Sequence, residues 1–136
     1  MGAFTLKKKV YYHDTDCGGV VYYANYLKYF EEARTEHFLS KGVDMKELAK
    51  DGIVFAVASL EIKYKSPARY GDELAVSSGV EEARGASLYF YHEIKLGART
   101  LAECRTRLVS IGADFKPVAV PKRISALLQA NSSEAL

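Results

Sequence analysis

The chain is short of cysteine, of net charge and of long apolar runs, and each shortage removes a class of protein. Its two cysteines, Cys17 and Cys104, have no metal-ligand spacing and are too few for a disulfide framework, which suits a reducing cytoplasm. A net charge of only +2 over 136 residues speaks against a protein that grips nucleic acid through a basic face. No apolar stretch is long enough to cross a bilayer, and the start, Met-Gly-Ala-Phe-Thr-Leu-Lys-Lys-Lys, has no apolar signal core. Met1-Gly2 is not a myristoylation start either, because residue 6 is Leu rather than Ser or Thr. Repeats, linkers and low-complexity segments are also missing. What remains is a soluble, cytoplasmic protein with no membrane insertion and no nucleic-acid partner. One domain over 1–130, with a frayed tail at 131–136, accounts for the length and buries about two-thirds of its unfolded surface.

Apolar periodicity divides the chain into elements. Residues 4–12 read as a strand with Phe4, Leu6, Val10 and Tyr12 on one parity; Lys8 breaks that face and suggests a sheet edge. Residues 13–22 read as a loop. From Asn25 to Ser40 the period becomes helical, with Tyr26, Tyr29, Phe30, Ala33, His37 and Phe38 on the apolar stripe. Asn25 is the expected N-cap and Gly42 the stop. Asp44 to Lys50 suggests a second, short helix capped by Asp44 and ended near Gly52. Val54, Ala56, Ala58, Leu60, Ile62 and Tyr64 are apolar at strict period two, the clearest strand signal present. Pro67 and Gly71-Asp72 turn the chain, and strands over 73–81, 86–96 and 99–112 follow as an antiparallel meander. Pro117 and Pro121 interrupt the pattern before a short helix near 123–130. A long helix and four or five strands sharing one small core predict an α+β domain, a curved antiparallel sheet wrapped around that helix.

The most informative stretch is residues 11–34. Two carboxylates end a strand-like run, a glycine pair turns the chain, and a helix follows at once. Asp16 thereby stands on a loop just ahead of a helix start. Exposed backbone N–H groups there can hold negative charge, including the oxyanion of acyl transfer. A carboxylate is repelled by such anions, and attack on a carbonyl carbon, or activation of water against one, would give it a purpose. In composition alone, Asp in this place is equally a turn residue. Asp14, two residues away in an extended loop, points the opposite way and is expected to make local hydrogen bonds. The oxyanion donor is expected among the amides of Val21, Tyr22 and Tyr23. Gly18 and Gly19 either let the loop approach a substrate closely or simply turn it.

Other side chains carry less. His13 can orient a water or pair with Asp14, whereas His37 and His92 have no partner spacing and read as structural. Cys17 has no His at an activating distance in sequence and reads as a small loop residue. Ten tyrosines raise the possibility of base stacking. Tyr22, Tyr26 and Tyr29, however, fall on or beside the apolar face of the helix and suit a core and an acyl or aryl pocket.

These same residues carry a resemblance. Asp14-Thr15-Asp16, Gly19-Val20-Val21-Tyr22, Asn25-Tyr26 and Glu32-Ala33-Arg34 form one ordered block. With Tyr64-Lys65-Ser66-Pro67-Ala68-Arg69-Tyr70-Gly71-Asp72 downstream, they resemble the hotdog-fold acyl-CoA thioesterases, in the branch of 4-hydroxybenzoyl-CoA thioesterase and the YbgC-like enzymes. The resemblance implies an antiparallel sheet around one long central helix, assembled as a homodimer or homotetramer. It implies hydrolysis of a small acyl- or aroyl-CoA thioester with no metal and no cofactor. Asp16 becomes the essential carboxylate, as nucleophile or as general base. The amide of Tyr23 becomes the leading oxyanion donor, with Val21, Tyr22 and Gly19 beside it.

Many YbgC-like relatives carry His where this chain has Tyr23. A backbone role survives that exchange; an acid–base role for an imidazole does not. A CoA nucleotide calls for basic groups at the pocket mouth, and Lys63, Lys65, Arg69 and Arg84 are the candidates. The acyl group and the choice between CoA and acyl-carrier-protein substrates stay open. So do two other readings: a hotdog hydratase or dehydratase, which would use an active-site His, and a thioester-binding scaffold in envelope lipid metabolism with weak turnover.

Overall fold

Five antiparallel strands carry the fold in the computed structural model, which describes residues 3–129. The strands are β1 (Ala3–Lys9), β2 (Val54–Tyr64), β3 (Glu73–Arg84), β4 (Ser87–Leu96) and β5 (Arg99–Ile111), and they lie side by side as β1-β3-β4-β5-β2. β3, β4 and β5 form the expected meander. β1 and β2 are the edges, as Lys8 suggested for the first of them. The helices are α1 (Asn25–Ser40), α2 (Met45–Lys50) and α3 (Lys122–Gln129). The tail 131–136 lies outside the described residues.

α1 follows the sequence periodicity residue for residue, since its buried positions are Tyr26, Tyr29, Phe30, Ala33, His37 and Phe38. Its C-terminus closes as a Schellman motif: the Gly42 amide donates to the Leu39 carbonyl at 3.0 Å and the Val43 amide to the Phe38 carbonyl at 2.8 Å. That motif needs a left-handed residue, and Gly42 supplies it at φ +79°. Tyr26, Tyr29, Phe30 and Ala33 join Val10, Leu74, Val76, Ile94, Leu101 and Ala102 in one apolar cluster. Phe38 joins a second cluster with Val80, Leu88, Phe90, Leu108 and Ile124, so α3 and α2 cover the other end of the sheet. Asp44 caps α2 as expected, its carboxylate accepting from the Lys46 amide at 2.9 Å.

Three expectations need correction. The first strand stops at Lys9, not at residue 12; Tyr12–Asp14 is a single 3-10 turn, and Tyr12 is exposed. The strict parity of β2 does not hold along its whole length, because a bulge at Ala58 shifts the register between Val57 and Ser59. Before the bulge Val57 pairs with buried Leu108 and Phe55 stacks on Phe38; after it Leu60, Ile62 and Tyr64 take over that face. Val54, Leu60 and Tyr64 also stay substantially exposed, which follows from β2 being an unpaired edge. Finally, Asn25 is not the cap of α1. Ala24 takes that place with no side-chain bond, and Asn25 is the first helical residue.

Candidate active site

The loop between β1 and α1 is a folded hairpin rather than a flexible link. The Asp16 amide donates to the Val20 carbonyl at 2.9 Å, the Gly19 amide to the Asp16 carbonyl at 3.1 Å, and Thr15 pairs with Val21. Gly19 sits at φ +79°, the left-handed turn position that a glycine fills without strain. Gly18 has its amide 2.8 Å from the Asp16 carboxylate, and a Cβ there would come within 3.2 Å of the same oxygen. The glycine pair therefore shapes the hairpin around Asp16, whose carboxylate stands at an exposed position. A second strip of chain holds the hairpin in place: Val20 pairs with Arg69, and the Val21 amide donates to the Ala68 carbonyl at 2.8 Å.

Asp14 differs from Asp16 as expected, but because it closes the 3-10 turn rather than through strand alternation. It is buried, its carboxylate accepts from the Tyr11 amide at 2.9 Å, and exposed His13 lies 3.5 Å from its other oxygen. Its carbonyl accepts both from the Tyr22 amide at 3.0 Å and from the Asn25 side-chain amide at 2.9 Å. The three amides named as oxyanion candidates are thus unequal. Those of Val21 and Tyr22 are already engaged, whereas the amides of Tyr23 and of Ala24 find no acceptor among the described residues. The Tyr23 carbonyl is pinned by the Tyr64 hydroxyl at 2.9 Å.

Aromatic rings run inward from this point. Tyr22 touches Tyr23, Tyr23 and Tyr26 each meet Tyr64, and Tyr26 meets Tyr29, with ring centroids 4.9 to 6.3 Å apart. Tyr22, Tyr23 and Tyr64 are exposed, and Tyr26 and Tyr29 are in the core. The neighbouring Tyr23 hydroxyl raises the pKa of Tyr22, with the charge of Asp16 adding least. Burial raises that of Tyr29, and the nearby Asp14 carboxylate adds to it. Burial also raises the pKa values of Tyr26 and Tyr64, so Tyr22, Tyr26, Tyr29 and Tyr64 are neutral at physiological pH.

The basic candidates separate. Arg69 is brought to the hairpin through its pairing with Val20, while Lys65 is tied to Glu103 across the sheet. Arg84 lies at the far end of β3, bound to Glu82 at 3.4 Å and to the Tyr89 hydroxyl. Along a strand of that length it stands about 35 Å from Glu73. His37, on α1, and His92, on β4, are both buried. Among the described residues no group of three or more His, Cys, Asp and Glu is placed to hold a metal ion, and no helix is long and apolar enough to cross a membrane. Sequence reasoning missed the roles of Asn25, Tyr64 and Ala68, because each acts through a tertiary hydrogen bond that no local pattern announces.

A five-stranded antiparallel sheet with a helix, and a carboxylate hairpin tied to the start of that helix, define a class: the hotdog domains of the thioesterase type. Residues 10–128 match the family model of the Thioesterase-like superfamily. The chain belongs to that family and is an enzyme of the thioesterase class. It is 35% identical to the acyl-CoA thioesterase YbgC of Haemophilus influenzae, over 90% of this chain and 92% of that one. It is 37% identical to the acyl-CoA thioester hydrolase YbgC of Escherichia coli, over 90% of this chain and 93% of that one. Among solved structures it is similar to the 1,4-dihydroxy-2-naphthoyl-CoA thioesterase of Synechocystis. There the identity is 27%, the TM-score is 0.87, and 93% of this chain and 96% of that one are covered.

Proposed function

We propose that this chain hydrolyses a small acyl- or aroyl-CoA thioester to the free acid and CoA, with Asp16 as its catalytic carboxylate. The carrying observation is an exposed carboxylate on a hydrogen-bonded hairpin, followed just before α1 by the Tyr23 and Ala24 amides, which find no acceptor among the described residues, in a chain matching acyl-CoA thioesterases over nine-tenths of its length. Two routes fit. As nucleophile, an Asp16 oxygen attacks the thioester carbon, CoA leaves as thiolate, and water then cleaves the acyl-aspartyl anhydride. As general base, Asp16 takes a proton from water, the hydroxide attacks, and the departing thiolate is protonated. In both, the Tyr23 amide stabilises the oxyanion, and Val21, Tyr22 and Gly19 hold that amide in place through the hairpin. Arg69 is the basic residue best positioned for the CoA phosphates; Lys65 and Arg84 are occupied by acidic partners. A cytoplasmic setting suits the two free thiols.

The test is thiol release from acetyl- through palmitoyl-CoA, benzoyl-CoA and 4-hydroxybenzoyl-CoA by wild type and Asp16→Asn. Turnover that falls about a hundredfold or more in the variant supports the assignment. An Asp16→Asn enzyme as active as wild type moves the chemistry elsewhere, and inactivity on every CoA ester favours a carrier-protein substrate or a binding role. Nothing favours a hydratase, since His13 is exposed beside Asp14 and the other two imidazoles are buried.

The assembly belongs to the same proposal. β2 is an edge strand carrying exposed Val54, Val57, Leu60 and Tyr64, and pairing with the same strand of a second copy would cover it. A homodimer through β2, alone or doubled into a homotetramer, is the arrangement that this edge favours.

A further inference from the structure

Asn25 is an amide side chain in the first turn of α1 that does nothing for the helix itself. It is not the cap, and its own backbone amide is already bonded to the Tyr22 carbonyl at 2.8 Å. Its side-chain amide reaches eleven residues back and donates to the Asp14 carbonyl at 2.9 Å. That carbonyl also receives the Tyr22 amide, so one oxygen holds both the last residue before the free amides and the first residue of the helix. Asp14 is fixed in turn, since its buried carboxylate is bonded to the Tyr11 amide. Two residues after Asp14 comes Asp16; one residue after Tyr22 comes the Tyr23 amide.

We propose that Asn25 is a positioning residue for thioester hydrolysis, setting the helix-start amide against the Asp16 hairpin through the Asp14 carbonyl. This rests on the catalytic reading of Asp16 given above. Without the bond, Asp14 and Tyr22 still pair, and the apolar stripe of α1 still packs. The helix start then loses its direct tie to the hairpin, and the oxyanion donor drifts relative to the carboxylate. Misplacement by about 1 Å of a positioned group costs about a hundredfold in rate. Because the oxyanion exists only during reaction, the loss falls on kcat and leaves KM nearly alone.

Asn25→Ala and Asn25→Asp test this beside wild type and Asp16→Asn. Asp keeps the size of Asn and suits the first turn of a helix, but has no N–H to donate. The expected result in both variants is a ten- to hundredfold fall in kcat, KM within threefold, and a melting temperature within a few degrees of wild type. Hydrogen exchange of the 15–24 segment should speed up while the interior of α1 keeps its protection. A kcat within twofold of wild type overturns the inference, and so does a loss of activity that merely follows loss of folded protein. The controls separate the two levels of argument. If Asp16→Asn is inactive and Asn25→Asp is wild-type-like, only the positioning role fails; if Asp16→Asn is fully active, the catalytic assignment fails first.

Discussion

Acidification from pH 8 to pH 5 should cost this protein about 4 kcal/mol of stability, through two buried imidazoles. His92 is fully buried between Phe30 and Phe90, and among the described residues neither of its ring nitrogens has a hydrogen-bond partner. His37 is buried on α1 with Nδ1 3.1 Å from the Ser78 hydroxyl and, among the described residues, no partner for Nε2. Burial lowers the pKa of His92 to about 3, with Arg34 and His37 facing it, and that of His37 to about 4, with Lys41 adding to the effect. The unfolded chain, with histidines near 6.5, binds protons that the folded chain refuses, so stability falls as pH drops below about 6.5. At pH 5 each imidazole held neutral costs about 1.5 pH units of binding, or about 2 kcal/mol, and the folded values hardly enter because both lie below 5. Carboxylates titrate mostly below this window, which makes it a histidine window.

Urea unfolding at fixed protein concentration at pH 8, 6.5 and 5 reads the slope directly. His92→Leu, close in volume and unable to charge, should match or exceed wild-type stability at pH 8 and lose about half of the pH dependence. A wild-type midpoint unchanged between pH 8 and pH 5 would refute the reasoning. So would a His92→Leu protein with the full wild-type slope.

Tyr26→Phe should cost about 1–3 kcal/mol in the same urea assay, because the buried Ala68 amide donates to the Tyr26 hydroxyl at 3.0 Å and would be left unpaired. A loss below 0.5 kcal/mol on the order-of-magnitude scale of a hydrogen bond would mean that the amide finds another acceptor. Light scattering should give a mass twice or four times that of the chain, and a monomer at micromolar concentration would remove the proposed β2 pairing.

Much of this architecture could be read from local pattern. α1 was legible because Tyr26, Tyr29, Phe30, Ala33, His37 and Phe38 keep one stripe over sixteen residues, and α2 because Asp44 and Gly52 bracket it. β2 misled because period two presumes an unbroken ladder, and one bulged residue, Ala58, exchanges the faces on either side. Asn25 misled for a related reason. Asn at a helix start is a frequent cap, and only the position of Asp14 in space shows that its amide is used elsewhere. In the candidate site, Asp16 and the neighbourhood of Tyr23 were readable as a motif. Which amide is spoken for was not, since that depends on where Ala68 and the Asp14 carbonyl come to rest.

The two rims of the sheet differ in a way that bears on how many chains can join it. β1 ends in Lys7, Lys8 and Lys9, of which the first and last are exposed, while Lys8 leans over Tyr29 toward Glu32. β2 offers aliphatic and aromatic side chains instead. If two copies meet at β2, the sheet they share shows lysines at both of its outer limits, and a third chain arriving there meets like charge. A stack of strands that would otherwise be free to lengthen is thereby self-terminating, and the chain can tolerate a sticky rim without the hazard of fibres.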